Sequence, residues 1–134
     1  MDRVRDAMIT EPRSLPATAS AREAGEVLVP REVRAVYVVG EHGELVGVVT
    51  RKTLVASVVA AGRSPGDTQL FEIAEPPHYT IGPDVPLEEA FRFLEEQDAE
   101  RVPVVEEGRL IGVVSRAVLQ RRLAEDEDRA DADL

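Results

Sequence analysis

The stretch GVVTRKTL, Gly47 to Leu54, is written again as GVVSRAVL, Gly112 to Leu119. Each copy opens with a glycine and an apolar β-branched pair that suit a buried strand. Each then passes through a hydroxyl residue, Thr50 or Ser115, of the kind that caps a helix N-terminus. Two strand-to-helix junctions spelled alike raise the question of a larger repeat. Sliding the chain by 66 residues brings Asp6-Ala7-Met8 onto Glu72-Ile73-Ala74, Ser14-Leu15 onto Thr80-Ile81, Ala24 onto Ala90 and Leu28 onto Leu94. Val36 to Val39 then falls on Val102 to Val105. One residue drops out where EHGEL becomes EGRL, which is a loop position.

Each copy reads as strand, helix, strand, strand, helix. Ser20 and Glu23 have capping-box spacing, and Ala21, Ala24, Val27 and Leu28 recur as an apolar helical stripe. In the second copy Asp84 or Val85 precedes Pro86, which suits a first helical turn, and Leu87, Ala90, Phe91 and Leu94 repeat the stripe. Ala35 to Val39 and Val102 to Val105 read as buried strands. Glu41-His42-Gly43 and Glu106-Glu107-Gly108 turn each into a second strand, with Gly43 and Gly108 expected at positive φ. Helices are expected from Arg51 to Ala61, stopped by Gly62, and from Arg116 to about Ala124. The expected organisation is repeat one over 1–62 with the N-terminal segment, a linker at 63–69, repeat two over 70–124 and an acidic tail at 125–134. A copy of about 60 residues is marginal alone, so the two are expected to pair with pseudo-twofold symmetry into one globule of α+β (α/β) class.

Composition narrows the function classes. Cysteine is absent, which excludes disulfides, thiolate metal sites and a cysteine nucleophile. Aromatic residues are 4% of the chain, so the core must be aliphatic. The net charge is −10, and Ala124 to Leu134 carries half of it, with six acids and one arginine. That balance argues against a nucleic-acid surface, and the tail reads as a solvated, partly frayed end. No apolar run is long enough to span a bilayer, and the first residues lack a signal-peptide core. A cytoplasmic protein with no membrane contact is expected. His42 and His78 have no partner at metal-ligand spacing and read as surface loop residues. Glu88, Glu89, Glu95 and Glu96 belong to the charged face of a helix. No nucleophile–base pair and no catalytic residue can be named, so no enzymatic activity is expected.

The two copies, Asp6 to Thr10 (DAMIT), Pro103 to Val105 and the GVVT/GVVS phrase resemble the CBS domain. The chain is similar to a tandem CBS pair, or Bateman module, over about residues 4–124. The resemblance implies a flat pair of β-α-β-β-α repeats with a cleft between them that takes AMP, ADP, ATP or S-adenosylmethionine as a regulatory ligand; no cofactor is required. It also implies the signature glycine, two apolar residues, Thr or Ser, two residues, and a ribose-binding Asp. Gly47 and Gly112 match the glycine, and Thr50 and Ser115 the hydroxyl. Thr53 and Val118 stand where the Asp would be.

The candidate ligand residues are therefore Thr50, Arg51, Thr53, Ser115, Arg116, Val102, Pro103 and Tyr37. Arg51 and Arg116 offer charge to a phosphate beside a helix start. Thr53 retains one hydrogen bond for a ribose. Pro103, expected at a strand start or edge, frees backbone groups near Val102. Tyr37 stacks on a base or closes the cleft as an apolar wall. Two functions stand at this level. One is a stand-alone regulatory module that senses an adenosyl or anionic ligand and signals to an unidentified partner protein. The other is a module that binds no nucleotide and acts by self-association, with Leu54, Val55, Val58 and Val59 as the homodimer face.

Overall fold

The computed structural model describes residues 2–132. The chain divides into two compact units, and each gathers a segment from outside its own repeat. The first unit holds residues 13–78 and 108–110, and the second holds 2–12, 79–107 and 111–132.

In the first unit, strands β1 (Ser14–Pro16), β2 (Val36–Val39) and β3 (Leu45–Val49) form a sheet in that order. β1 runs parallel to β2 with Ser14 opposite Tyr37, and β3 runs antiparallel with Val36 opposite Val49. Helix α2 (Ala21–Val27) starts with the expected capping box, in which Ser20 Oγ accepts from Glu23 N and the Glu23 carboxylate accepts from Ser20 N. Its stripe of Ala21, Ala24 and Leu28 packs with Val36, Val38, Val49, Val58, Leu70 and Ile73. Each large aliphatic side chain so buried contributes roughly 1.5–3 kcal/mol. Short helix α4 (Leu70–Ile73) closes this core. The expected linker is ordered: Pro65–Asp67 is a 3-10 turn, and buried Thr68 donates its hydroxyl to the Ser64 carbonyl at 2.7 Å.

In the second unit, α1 (Val4–Ala7) and α5 (Leu87–Glu96) pack with strands β4 (Arg101–Glu106) and β5 (Arg109–Ser115) and with α6 (Arg116–Ala132). Val4, Leu87, Leu94, Val102, Val104, Val114 and Leu119 are its largest fully buried side chains. The turn between β4 and β5 has two residues at positive φ, Glu107 at 53° and Gly108 at 81°, as a tight primed hairpin turn requires.

Several contacts run differently from the expected layout. The N-terminal segment, grouped by sequence with the first repeat, packs in the second unit. Val4 N donates to Val85 O and Arg5 N to Pro83 O, both at 2.9 Å, and Val4 is fully buried there. Arg5 also pairs with Asp84 and Glu106, and the Arg5 guanidinium lowers the Asp84 carboxyl below its ordinary pKa. The first strand of copy two is reduced to a single parallel bridge between Ile81 and Val104. The N-cap position of α5 is Pro86, one residue after Val85 and two after Asp84, with no side-chain cap bond. The helix after Thr50 is α-helical only over Arg51–Leu54 (α3) and then widens into a π-helical turn, Val55–Val59. Ala60 N there reaches Val55 O at 2.8 Å. Helix α6 runs to Ala132, so the acidic residues expected in a frayed tail continue a helix through that point.

The two repeated glycines are required by packing. A Cβ at Gly47 would lie 2.8 Å from the Glu75 carbonyl oxygen and 2.9 Å from Ala74 Cβ. One at Gly112 would lie 2.7 Å from the Ile9 carbonyl oxygen and 2.8 Å from Met8 Sδ. Gly47→Ala should lower the unfolding free energy by about 1–3 kcal/mol in urea denaturation, as overpacking against backbone does. Gly66→Ala, where a Cβ meets nothing within 4 Å, is the control and should change it far less. Equal effects would remove steric contact as the reason for Gly47.

Candidate functional site

The junction after β3 is built by two threonines. Thr50 is extended and caps α3, its Oγ1 accepting from Thr53 N at 3.3 Å. Thr53 Oγ1 reciprocates by accepting from Thr50 N at 3.0 Å. A threonine thus fills the place that Glu or Gln takes in a capping box. Thr53 Oγ1 also donates to Glu75 Oε1 at 3.2 Å. The two hydroxyl oxygens are 3.1 Å apart. With the Thr53 proton on Glu75, Thr50 is the donor between them. The hydroxyls therefore form a polarised chain ending on the carboxylate.

Thr53 is 1% exposed, and its one proton is on Glu75. Exposed Glu75 carries the acceptor capacity at this corner. Sequence reasoning missed it. Its only signal was an acid at the position where the other copy has apolar Ile9. The fold holds it there because Val48 and Glu75 exchange both backbone hydrogen bonds, at 2.8 and 3.0 Å, beside Gly47.

Arg51 is exposed, and its Nη2 donates to the carbonyls of Leu28 and Pro30 at 2.5 and 2.6 Å. It braces the end of α2 against the start of α3, as cations commonly do at helix C-termini. Tyr37 lies within β2 and is 8% exposed.

The junction after β5 differs. Ser115 Oγ accepts from Val118 N at 3.2 Å, which reproduces the cap. Val118 has no hydroxyl, so no relay to a carboxylate follows. Arg116 N donates to Glu100 O at 2.8 Å, and its guanidinium stands 3.7 Å from Asp98 Oδ1. Pro103 is the third residue of β4, an edge strand of the two-stranded sheet β4-β5, and both it and Val102 are buried. The Pro103 carbonyl accepts from Ile81 N at 3.1 Å.

The structure thus groups Thr50, Arg51 and Thr53 at one junction and Ser115 and Arg116 at the other, with Tyr37, Val102 and Pro103 inside strands. A small cavity of about 110 Å³ lies among Thr80, Ile81, Val85, Glu89 and Phe93, and none of these is a predicted site residue. Ligand pockets usually span roughly 300–1,000 Å³, so it is too small for a nucleotide. Among the described residues no group of three His, Cys, Asp or Glu side chains could hold a metal, and no helix is long and apolar enough to cross a membrane.

The CBS domain model matches this chain twice, over residues 4–60 and 70–125. The chain belongs to the CBS domain family. The A-adding tRNA nucleotidyltransferase of Aquifex aeolicus is 33% identical over 124 residues, which are 92% of this chain and 15% of that protein. This chain therefore corresponds to a small part of that enzyme. Hypoxic response protein 1 of Mycobacterium tuberculosis is 29% identical over 102 residues, 76% of this chain and 71% of that protein. Among solved structures, CBSX2 in complex with AMP superposes with a TM-score of 0.76 at 25% identity, covering 95% of this chain and 99% of that one. The α+β class and the tandem repeat are those of this CBS family.

Thr53→Val would give the first CBS repeat the apolar residue that the second already has. It leaves Thr50 N–H without its acceptor and removes the bond to Glu75. A loss of about 1–3 kcal/mol in denaturant unfolding is expected. An unchanged midpoint would show that the threonine relay carries no stability.

Proposed function

We propose that this CBS pair is a regulatory module that senses an adenosine-containing ligand and passes that state to a partner protein. The observation that carries the reading is the Thr50–Thr53–Glu75 relay. It presents a carboxylate beside the junction where the family signature has its ribose-binding Asp. A carboxylate suits a vicinal diol because it accepts from both hydroxyls at once. Glu75 takes the role that Thr53 was expected to fill. The AMP in the CBSX2 complex supports this ligand class, and AMP, ADP, ATP and S-adenosylmethionine are the candidates. Binding of such a ligand shifts a conformational equilibrium only as far as it prefers one state. The chain acts by binding and not as an enzyme, and its cysteine-free composition fits the cytoplasm.

Isothermal titration calorimetry on ligand-free protein tests this. Glu75→Gln should weaken adenosyl-ligand binding about tenfold, or about 1.4 kcal/mol, with the fold retained. No heat from any of the four candidates at millimolar concentration would sink the adenosine reading.

A second reading, self-association into a homodimer, rests on the π-helical turn. Val55 is 59% exposed and Val59 72%, an i,i+4 apolar pair facing solvent. The face first expected to include Leu54 and Val58 is narrower. Val58 is 2% exposed and belongs to the core, and Leu54 is half-buried against it. Val55→Asp with Val59→Asp should convert a dimer to monomer in light scattering at micromolar protein. A dimer that survives both changes would exclude this face.

A further inference from the structure

Glu89 stands at the third position of helix α5, where a glutamate commonly reaches back to accept from the N-cap N–H. Its equivalent one repeat earlier does so: the Glu23 carboxylate accepts from Ser20 N at 3.3 Å. In the second copy the residue aligned with Ser20 is Pro86, which has no N–H to give. The exposed Glu89 carboxylate has no hydrogen bond or ion pair among the described residues. The acids on either side of it are occupied. Asp84 pairs with Arg3 and Arg5, and Glu88 lies 3.9 Å from Arg92. The proline has thus released one carboxylate that the first repeat spends on its helix cap.

The released group borders the cavity of about 110 Å³ that Thr80, Ile81, Val85 and Phe93 also line. Glu89 and Phe93 are one helical turn apart, so α5 presents both to the same space. Ile81 is buried and Val85 and Phe93 are half-buried, which makes the walls apolar, while exposed Thr80 and Glu89 stand where the cavity meets solvent. Of these five residues only Glu89 is charged. The Phe93 ring is held in place by Tyr79, at a centroid distance of 5.6 Å and an interplanar angle of 89°, the edge-to-face arrangement that aromatic pairs favour.

The first repeat has no counterpart to this arrangement. Sliding back by 66 residues puts Val27 in the place of Phe93 and Arg13 in the place of Tyr79. Both rings are therefore missing there, a cation is added, and the aligned carboxylate is closed on Ser20 N. A free acid, an aromatic ring and an apolar cavity come together in one copy alone.

We propose that this cavity is a binding site for a small quaternary alkylammonium ion, one per chain, with Glu89 and Phe93 as its binding residues. Such an ion carries methyl groups that suit the apolar walls and a diffuse charge that an aromatic ring and a carboxylate both attract. A cavity of roughly 150 Å³ holds a benzene ring, so this one is of the size for a trimethylammonium head group. A bare metal ion is a poor match, because a single carboxylate and a hydroxyl supply far fewer oxygens than a hard cation takes. An anion would meet Glu89 with no cation among the lining residues to offset it. The site shares no residue with Thr50, Thr53 or Glu75 and does not depend on the adenosine reading.

NMR titration of the full chain with choline, and with dimethylbutanol as its uncharged carbon analogue, tests it. Choline should saturate at one per chain and shift the amide signals of Ile81, Glu89 and Phe93. Dimethylbutanol should bind about tenfold more weakly or not at all. Glu89→Gln and Phe93→Leu should each weaken choline about tenfold. Glu95→Gln, on the same helix but outside the cavity, should leave it unchanged. Pro86→Ser returns an N–H for Glu89 to accept, so it should weaken choline even though both binding side chains remain. A merely structural role for Glu89 would not respond in that way. No saturable choline binding, equal binding of dimethylbutanol, or equal effects of Glu89→Gln and Glu95→Gln would overturn the site.

Discussion

A backbone carbonyl pressed against a glycine is the contact on which each unit depends. Gly47 receives the Glu75 carbonyl and Gly112 the Ile9 carbonyl, each at a distance that no Cβ tolerates. Reciprocal hydrogen bonds at the next residue, Val48 with Glu75 and Val113 with Ile9, satisfy backbone groups that would otherwise be stranded at a strand edge. The segment that makes this contact also delivers apolar side chains, Leu70 and Ile73 in one unit and Val4 in the other. Neither sheet completes its core without it. The pairing of 2–12 with the second repeat follows from this need for an edge partner.

The same contact sets the chemistry of the junction. Because Glu75 is latched to Val48, its side chain stands beside Thr53, and the cap of α3 becomes a relay of hydroxyls onto a carboxylate. In the other copy the latched residue is Ile9, which has no polar side chain, and Val118 has no hydroxyl to meet one. One architecture therefore carries two electrostatic environments. In the first, a carboxylate is held beside the helix cap. In the second, Arg116 lies against Asp98 and Glu100, and the charge is largely closed on itself.

Local patterns were the most legible. The Ser20–Glu23 box, the α2 and α5 stripes and positive φ at Gly43, Gly62 and Gly108 all follow from interactions between residues close in sequence. Where a feature depends on distant partners, local pattern misled. Val58 looked like part of a surface stripe but is core, while Val55 and Val59 of the same π-helical turn face outward. Pro103 sits third in β4, which is an edge strand of its two-stranded sheet. The two carbonyls that hold the Arg51 guanidinium lie some twenty residues earlier, where local pattern gives no sign of them.

The sequence by itself determined that one strand-to-helix phrase is used twice, that each use needs a glycine and a capping hydroxyl, and that the family's Asp is missing from both. Those are short-range requirements, and the residues that meet them are adjacent. Only the tertiary structure decided what meets Thr53, which holds the Asp's position in the first copy. Glu75 is 22 residues from Thr53 along the chain. A carboxylate or a cation has the same letter wherever it lies. Strand register and the latch at Gly47 decide which charges meet.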